Sequence, residues 1–194
     1  MALVDLVGMH KYFIMQHISE GDTVVDFTMG NGNDTLFLSK AVGESGKVYA
    51  FDIQEDALVS TRAFLTENGA PENYTLICAS HHRVREFVNE PIKAGMFNLG
   101  YLPRSGRKAV TTMRETTMPA VEEALKLLAP DGVLIVAIYP GHEEGALEGD
   151  MLREYFSGLS RFRICPSEFK ILNSPTSPYF FLVEKSPKAK FGEI

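Results

Sequence analysis

Cysteine is scarce in this chain, with only Cys78 and Cys165 among its 194 residues. The two lie far apart and outside any CxxC spacing, so they indicate neither a disulfide framework nor a zinc site. Long hydrophobic runs are also missing, because polar residues interrupt the apolar N-terminus at Asp5, His10, Lys11 and His17. We therefore expect a cytoplasmic protein with no export signal, no membrane partner and no metal site.

The chain also has no excess of positive charge. It contains 19 Lys and Arg and 25 Asp and Glu residues, and its net charge is −6 at pH 7. This balance argues against non-specific coating of nucleic acid, which depends on many contacts between basic residues and phosphates. Local recognition stays open, because basic residues cluster at Arg83 and Arg85, at Arg104, Arg107 and Lys108, at Arg161 and Arg163, and at Lys185, Lys188 and Lys190. Each cluster by itself can equally be solvated surface charge.

Hydrophobic periodicity predicts alternating strands and helices along a single domain of residues 1–194. Helices are predicted over 1–20, 34–42, 55–68, 112–128 and 145–158, with a short one at 83–88. Strands are predicted over 23–28, 47–53, 74–79, 95–102 and 133–139, followed by a strand pair within 162–185. This order predicts an α/β fold with a mostly parallel sheet of about seven strands, helices on both faces and an antiparallel C-terminal hairpin at the sheet edge.

The loop after the first predicted strand carries the residues expected to hold a ligand. Parallel sheets bind ligands at the carboxyl ends of their strands, and Gly30 and Gly32 let the backbone approach closely. Asp52, at the end of the second strand, can accept hydrogen bonds from both ribose hydroxyls of an adenosine. Asp26 would repel a pyrophosphate but attract the ammonium of a methionine moiety, directly or through water. The pattern favours S-adenosylmethionine over a nicotinamide dinucleotide, with a purely structural turn as the remaining alternative.

Adenine contacts are expected after the third strand, from Ser80, His81 or His82, although part of this segment can be plain loop surface. His10 and His17 fall on the apolar stripe of the first helix and are predicted to be core or interface residues. The full set of predicted cofactor-contacting residues is Asp26, Thr28, Met29, Gly30, Asn31, Gly32, Asn33, Asp34, Thr35, Asp52, Ile53, Ser80, His81 and Asn98.

A second group of residues, Asn98-Leu99-Gly100-Tyr101-Leu102-Pro103, ends the fourth predicted strand. It is similar to the Asn-Pro-Pro-Tyr motif of amino-methylating enzymes, with Leu99-Gly100 in place of the two prolines. In that motif the Asn side chain and a backbone carbonyl accept hydrogen bonds from the target amine, while an aromatic ring packs on the base. An Asn that caps a turn is the alternative. His142, after the fifth strand, is a candidate proton acceptor on the same rim or a helix-entry residue.

These motifs, together with Tyr139-Pro140-Gly141-His142-Glu143-Glu144-Gly145 and the closing residues 177–185, resemble the YtqB-like family of rRNA methylases over nearly the whole chain. The resemblance implies a Rossmann-like class I methyltransferase fold and S-adenosylmethionine as cofactor. It also implies that Gly30, Asn31, Gly32 and Asp52 hold the cofactor, whereas Asn98 and Tyr101 face the acceptor.

Members of that family include MnmM-type enzymes, which methylate the aminomethyl group of a modified wobble uridine in tRNA to give 5-methylaminomethyluridine. The resemblance therefore implies an RNA substrate, with tRNA favoured over rRNA. The predicted catalytic residues are Asn98 and Tyr101, which the resemblance places at the acceptor, and His142, the candidate proton acceptor. The alternatives are an rRNA or small-molecule methyltransferase, a nicotinamide-dependent oxidoreductase and a non-catalytic nucleotide-binding module. A homodimer is a further expectation.

Overall fold

The strands and helices follow the predicted order. The computed structural model describes residues 5–99, 112–141 and 143–194. The helices are α1 (Leu6–Met15), α2 (Asn33–Val42), α3 (Glu55–Glu67), α4 (Arg114–Leu127) and α5 (Glu143–Ser157), with a short 3-10 helix over His81–Glu86. The strands are β1 (Thr23–Asp26), β2 (Lys47–Asp52), β3 (Tyr74–Cys78), β4 (Ile92–Leu99), β5 (Leu128–Ile138), β6 (Ile164–Phe169) and β7 (Tyr179–Lys185).

The described strands form one seven-stranded sheet in the order β3-β2-β1-β4-β5-β7-β6. Strands β1 to β5 are parallel, whereas β7 runs antiparallel to both β5 and β6. The mostly parallel sheet with an antiparallel C-terminal pair is therefore confirmed. Within that pair β7 lies inside the sheet and β6 forms the edge, because β7 pairs with β5 over residues 179–184 and with β6 on its other side.

Both faces of the sheet are covered, because neighbouring residues on the same strand point to opposite cores. One core contains Phe27, Phe97, Val136 and Phe181 and is packed against α4 and α5. The other contains residues adjacent to these along the strands, such as Met96, Ile135 and Phe180, and is packed against α1 and α2. The two-sided burial explains why the central strands are continuous apolar runs in the sequence.

The functional rim is set by the strand order. From β1 the chain moves outward through β2 to β3, and from β4 it moves the other way through β5. Strands β1 and β4 are neighbours, so their carboxyl ends flank the point where the order reverses, where doubly wound sheets bind ligands. Within the described segments, none of the helices has both the length and the apolar character needed to cross a membrane.

Several boundaries differ from those predicted. Helix α1 ends at Met15 rather than near residue 20, and β4 begins at Ile92, before the predicted start at residue 95. Strand β5 begins at Leu128, whereas the sequence predicted a strand only from residue 133, after Pro130-Asp131-Gly132. Backbone pairing with β4 decides this, since Ile92 is in register with Leu128 and the register shifts before Ala94. Within this extension Asp131 has a positive φ of 59°.

Candidate active site

The loop from β1 to α2 is fastened at both ends by the carboxylate of Asp26. Its Oδ1 accepts a hydrogen bond from the Thr28 backbone N–H at 3.1 Å, and its Oδ2 accepts one from the Thr35 hydroxyl at 2.7 Å. The loop between them turns through Gly30 and Gly32, whose φ angles of 51° and 84° favour glycine. Asp26 therefore holds together the two ends of the segment that is predicted to surround the cofactor.

Asp26 is fully buried, which its predicted attraction for a methionine ammonium did not anticipate. Burial, followed by the nearby charge of Asp34, raises the pKa of Asp26 to about 7, although the hydrogen bonds from Thr35 and Thr28 oppose the rise. The carboxyl group of Asp26 thus ionises less readily than an ordinary Asp, and an approaching positive charge would favour its ionised form. Direct contact with an ammonium stays a prediction.

The end of β2 presents a carboxylate and an apolar side chain side by side. Asp52 accepts hydrogen bonds from the backbone N–H groups of Gly30, at 3.1 Å, and Gln54, at 2.9 Å. Burial raises the pKa of Asp52, whereas these backbone hydrogen bonds lower it. The next residue, Ile53, leaves 57% of its surface exposed. A carboxylate that can accept hydrogen bonds from ribose hydroxyls thus lies beside an exposed apolar surface on which a flat base can pack, as an adenosine site requires.

Gly32 is required for a reason other than the one the motif suggests. A Cβ built on Gly32 would lie 2.9 Å from Cγ2 of Thr61 on α3, and its φ of 84° is already unfavourable for other residues. The Thr61 hydroxyl also donates a hydrogen bond to the Gly30 carbonyl at 3.0 Å. The glycine pair therefore lets the loop pack against α3, and the expected close approach of ligand to Gly32 stays a prediction.

Asn98, at the carboxyl end of β4, is joined to this loop by backbone and side chain. Its backbone N–H donates to the Thr28 hydroxyl at 2.7 Å, and its side-chain Nδ2 donates to Asp34 Oδ2 at 2.8 Å. The structure thus brings together three predicted site residues from two neighbouring strands and the start of α2. The alternative of an Asn that merely caps a turn does not account for a side chain directed across to α2.

The N-terminal helix contributes to the same site, which the sequence reasoning missed. Lys11 Nζ lies 2.9 Å from Asp34 Oδ1, and His10 Nε2 lies 3.7 Å from the same oxygen. Burial alone would raise the pKa of Asp34, but His10 and Lys11 outweigh it and lower the pKa below its ordinary value. His10 is 2% exposed, in agreement with the predicted core position, and its ring meets Phe180 edge-on. The two adjacent polar residues within an apolar helix were the available signal.

The segment after β3 is divided between core and surface. His81 is buried, with its ring edge against Phe97, and burial lowers its pKa to about 4 despite a hydrogen bond with the Phe27 backbone. Its Nε2 has no hydrogen-bond partner in the described structure. Ser80 and the exposed His82 are joined through the Ser80 hydroxyl and His82 Nδ1, 2.8 Å apart. Adenine contacts from Ser80 and His81 stay predictions.

Of the other predicted loop residues, Met29 and Thr35 are buried, Asn31 is half-buried and Asn33 is exposed. Tyr101, His142 and the basic residues Arg104, Arg107 and Lys108 lie outside the described residues. Glu148 on α5 was not predicted to matter, yet it is fully buried and accepts hydrogen bonds from the hydroxyls of Thr112, at 2.8 Å, and Thr117, at 2.6 Å. It joins α5 to the start of α4.

Comparison with known proteins identifies the family. The family model described as "Putative rRNA methylase" matches residues 48–185, which is more than half of the chain. The chain belongs to this family. A "putative rRNA-methylase" structure from Clostridium thermocellum is 37% identical, with a TM-score of 0.91, and the match covers 95% of this chain and all of that one. The predicted family and Rossmann-like class I methyltransferase fold are therefore confirmed.

Two other relatives bear on the chemistry of the family. A "putative methyltransferase" from Streptococcus mutans, solved in complex with SAH, is 34% identical with a TM-score of 0.85, over 95% of this chain and 99% of that one. A chloroplastic tRNA (mnm(5)s(2)U34)-methyltransferase of Arabidopsis thaliana is 38% identical over 180 residues, or 88% of this chain. This chain spans 65% of the length of that curated relative and 52% of the length of a "Ribosomal RNA large subunit methyltransferase E" of Natronomonas pharaonis. S-adenosylmethionine as the predicted cofactor is confirmed at the level of the family.

Proposed function

We propose that this chain is an S-adenosylmethionine-dependent methyltransferase that N-methylates an amine on RNA, namely the aminomethyl group of a modified wobble uridine in tRNA. The observation that carries the proposal is Asn98, which is held at the carboxyl end of β4 beside the glycine loop by Thr28 and Asp34. The Arabidopsis relative supports the tRNA amine, because its name states a methyltransferase for mnm(5)s(2)U34. The family description supports an RNA substrate more generally.

S-adenosylmethionine, when bound, supplies a methyl group made electrophilic by its positively charged sulfur. On the protein side, Asp52 and Ile53 would bind the ribose and adenine, and the loop over residues 28–32 would surround the methionine part. Asp26 keeps that loop closed through Thr28 and Thr35. These residues fix the position of the methyl donor, so the protein accelerates transfer mainly through alignment.

The acceptor amine must be neutral when it attacks, because a protonated amine has no lone pair. Asn98 would accept a hydrogen bond from one amine N–H and direct the lone pair toward the methyl group. The new N–CH₃ bond forms as the S–CH₃ bond breaks, and the resulting ammonium then loses one proton. We assign Tyr101 to packing against the uracil base and His142 to accepting that proton. The role of Tyr101 comes from the family resemblance, and that of His142 from its predicted place on the rim and the chemistry of imidazole. Both residues lie outside the described ranges.

The decisive experiment is single-turnover methyl transfer to tRNA whose wobble uridine carries the aminomethyl group but not yet the added methyl group. Mass spectrometry of the nucleosides then identifies the product. Wild-type protein is expected to convert the aminomethyl nucleoside to its methylaminomethyl form. Asn98→Ala should lower the transfer rate far more than it weakens S-adenosylmethionine binding, since the Asn98 amide aligns the acceptor. The matched control is Asn68→Ala, an exposed Asn at the end of α3 that should leave the rate unchanged. A full rate in Asn98→Ala would remove Asn98 from the acceptor site.

The same assay, run on a mixture of tRNA and rRNA with methyl-labelled S-adenosylmethionine, tests a second candidate, methylation of rRNA, which the family description favours. If label appeared only in rRNA nucleosides, the protein would still be a methyltransferase but its substrate would be rRNA instead of tRNA. Label in small molecules alone would exclude an RNA substrate.

The cytoplasmic location and the homodimer stay predictions, and the Arabidopsis relative is named as chloroplastic.

RNA binding is expected to depend on the basic residues Arg104, Arg107 and Lys108, which follow β4 along the chain. Replacing all three with Gln should weaken tRNA binding. The slope of log affinity against log salt should become shallower by about 0.7–0.9 for each phosphate that the variant no longer neutralises. The control is Arg161→Gln with Arg163→Gln. That pair precedes β6, whose amino end lies on the side of the sheet formed by the amino ends of the parallel strands, away from the predicted site. An unchanged salt slope in the triple variant would place the RNA elsewhere.

A further inference from the structure

We propose that Asp34, anchored by Lys11 of the N-terminal helix, is a positioning residue that decides which way the side-chain amide of Asn98 faces. The inference rests on the proposed function for the role of Asn98, but the orientation itself follows from contacts that do not depend on any ligand. It differs from the sequence-based expectation that Asp34 contacts the cofactor.

The argument begins with the chemistry of the two side chains. An ionised carboxylate only accepts hydrogen bonds, whereas a primary amide has one donor end and one acceptor end. Asn98 Nδ2 lies 2.8 Å from Asp34 Oδ2, so the NH₂ end must face Asp34. The amide oxygen is then directed to the other side of the Asn98 side chain. An acceptor amine approaching that side would donate its N–H to Asn98 Oδ1.

The arrangement works only if Asp34 stays ionised and stationary. Its side chain is only 15% exposed, and a charge that is largely removed from water needs charged or hydrogen-bonding partners. Lys11 Nζ, at 2.9 Å, supplies a charged partner from α1, and His10 Nε2 lies 3.7 Å from the same carboxylate oxygen. These partners keep the pKa of Asp34 below its ordinary value, whereas the adjoining carboxyl of Asp26 has its pKa raised. Of the two neighbouring acids, Asp34 is therefore the one that holds the negative charge.

This assigns a task to α1, which precedes the first strand and is not part of the repeating strand–helix units. Asp34 lies in the first turn of α2 and would be free to turn toward solvent without a partner. Lys11 bridges from α1 to that turn, so the packing of α1 determines where the carboxylate lies. The N-terminal helix thus acts on the acceptor geometry through Lys11, which holds Asp34, and Asp34 in turn holds Asn98.

Three variants test the inference in single-turnover methyl transfer to tRNA. Asp34→Asn keeps the side-chain volume but removes the charge, and its amide can donate to Asn98 and so reverse the preferred orientation. The transfer rate should fall about tenfold to a hundredfold, the range for removal of a charge-assisted hydrogen bond, while S-adenosylmethionine affinity changes less than about twofold. Lys11→Met should cause a smaller decrease in the same direction. Asp131→Asn is the matched control, because this exposed acid pairs with Lys93 near the amino end of β5, away from the carboxyl ends of the strands.

A double-mutant cycle separates positioning from a general structural role. If Asp34 acts through Asn98, Asp34→Asn should cause no further decrease of rate in the Asn98→Ala background, although it is costly alone. A similar decrease in both backgrounds would mean that Asp34 only supports the fold, and would overturn the inference. Weakened S-adenosylmethionine affinity with an unchanged transfer rate would also overturn it and return Asp34 to the cofactor site.

Hydrogen exchange of the Asn98 side-chain amide gives a readout that does not need activity. The signal is identified in ¹⁵N-labelled protein as the NH₂ pair missing from Asn98→Ala. Its exchange should become at least about tenfold faster in Asp34→Asn and stay unchanged in Asp131→Asn, because only the first variant replaces its charged acceptor with a neutral amide that holds the NH₂ group more weakly. Equal exchange in both variants would overturn the inference. If wild-type protein methylates no RNA, the proposed function fails, while this measurement still decides whether Asp34 holds Asn98.

Discussion

Replacing Asp52 with Ala should weaken S-adenosylmethionine binding and also loosen the glycine loop. Hydrogen bonds from two ribose hydroxyls to a carboxylate contribute about 1.5–3 kcal/mol, so the dissociation constant should rise about tenfold to a hundredfold. Asp52 also accepts the Gly30 and Gln54 backbone N–H groups, and no sequence pattern indicated the Gly30 bond. In Asp52→Ala the backbone N–H groups of Gly30 and Gln54 lose a charged acceptor but can hydrogen-bond to water instead. We therefore also expect the free energy of unfolding of the ligand-free protein to decrease by about 1–2 kcal/mol.

Titration calorimetry measures the affinity, and thermal unfolding with and without ligand measures the stability. At a ligand concentration 100 times the wild-type dissociation constant, binding should stabilise wild-type protein by about 2.7 kcal/mol and a tenfold weaker variant by only about 1.4 kcal/mol. Asp52→Asn retains one acceptor oxygen and should lie between the two. Asp56→Ala, at an exposed acid in the first turn of α3, is the control. Wild-type affinity in folded Asp52→Ala would refute the ribose assignment.

The same loop supports two other predictions. Gly32→Val should lower the free energy of unfolding by about 2 kcal/mol or more, because it adds strain at a positive φ and a clash with Thr61. Thr61→Ala should restore part of that stability in chemical denaturation, and a fully stable Gly32→Val would contradict the packing argument. Because the pKa of Asp26 is raised to about 7, a bound cation should favour its ionised form and release a proton. S-adenosylmethionine affinity should therefore fall about tenfold from pH 8 to pH 6 in calorimetry, and this dependence should vanish in Asp26→Asn. A pH-independent wild-type affinity would separate Asp26 from the ligand.

The linkage at Asp26 also has a defined sign for stability. The folded-state pKa is above the unfolded value, so the native state binds the proton more tightly. The corresponding stabilisation is complete below the unfolded pKa of about 4 and is lost as the pH rises through about 7. Asp26→Asn should remove this part of the pH dependence, which urea unfolding between pH 5 and pH 8 would reveal.

The sequence by itself determined the order of elements, the fold class and the region of the site. Strongly apolar segments separated by glycine and proline turns are sufficient for this, because local periodicity carries the secondary structure and parallel strands place their carboxyl ends at one rim. The sequence pattern alone therefore predicts that Asp26, the glycine loop, Asp52 and Asn98 all lie at the carboxyl ends of the parallel strands. Element ends were less well predicted, as at β5, where pairing with β4 extends the strand across Pro130 and Asp131.

Only the tertiary structure decided how those residues act on one another. Asp26 is buried and fastens the loop, which a count of residues between an acid and a glycine does not reveal. The contact of Lys11 with Asp34 joins residues 23 positions apart (34 − 11 = 23) on separate helices. Glu148 is buried under Thr112 and Thr117 although glutamate is usually exposed. Such contacts depend on the packing of α1 on the sheet and of α5 on α4, and long-range packing leaves no local pattern in the chain.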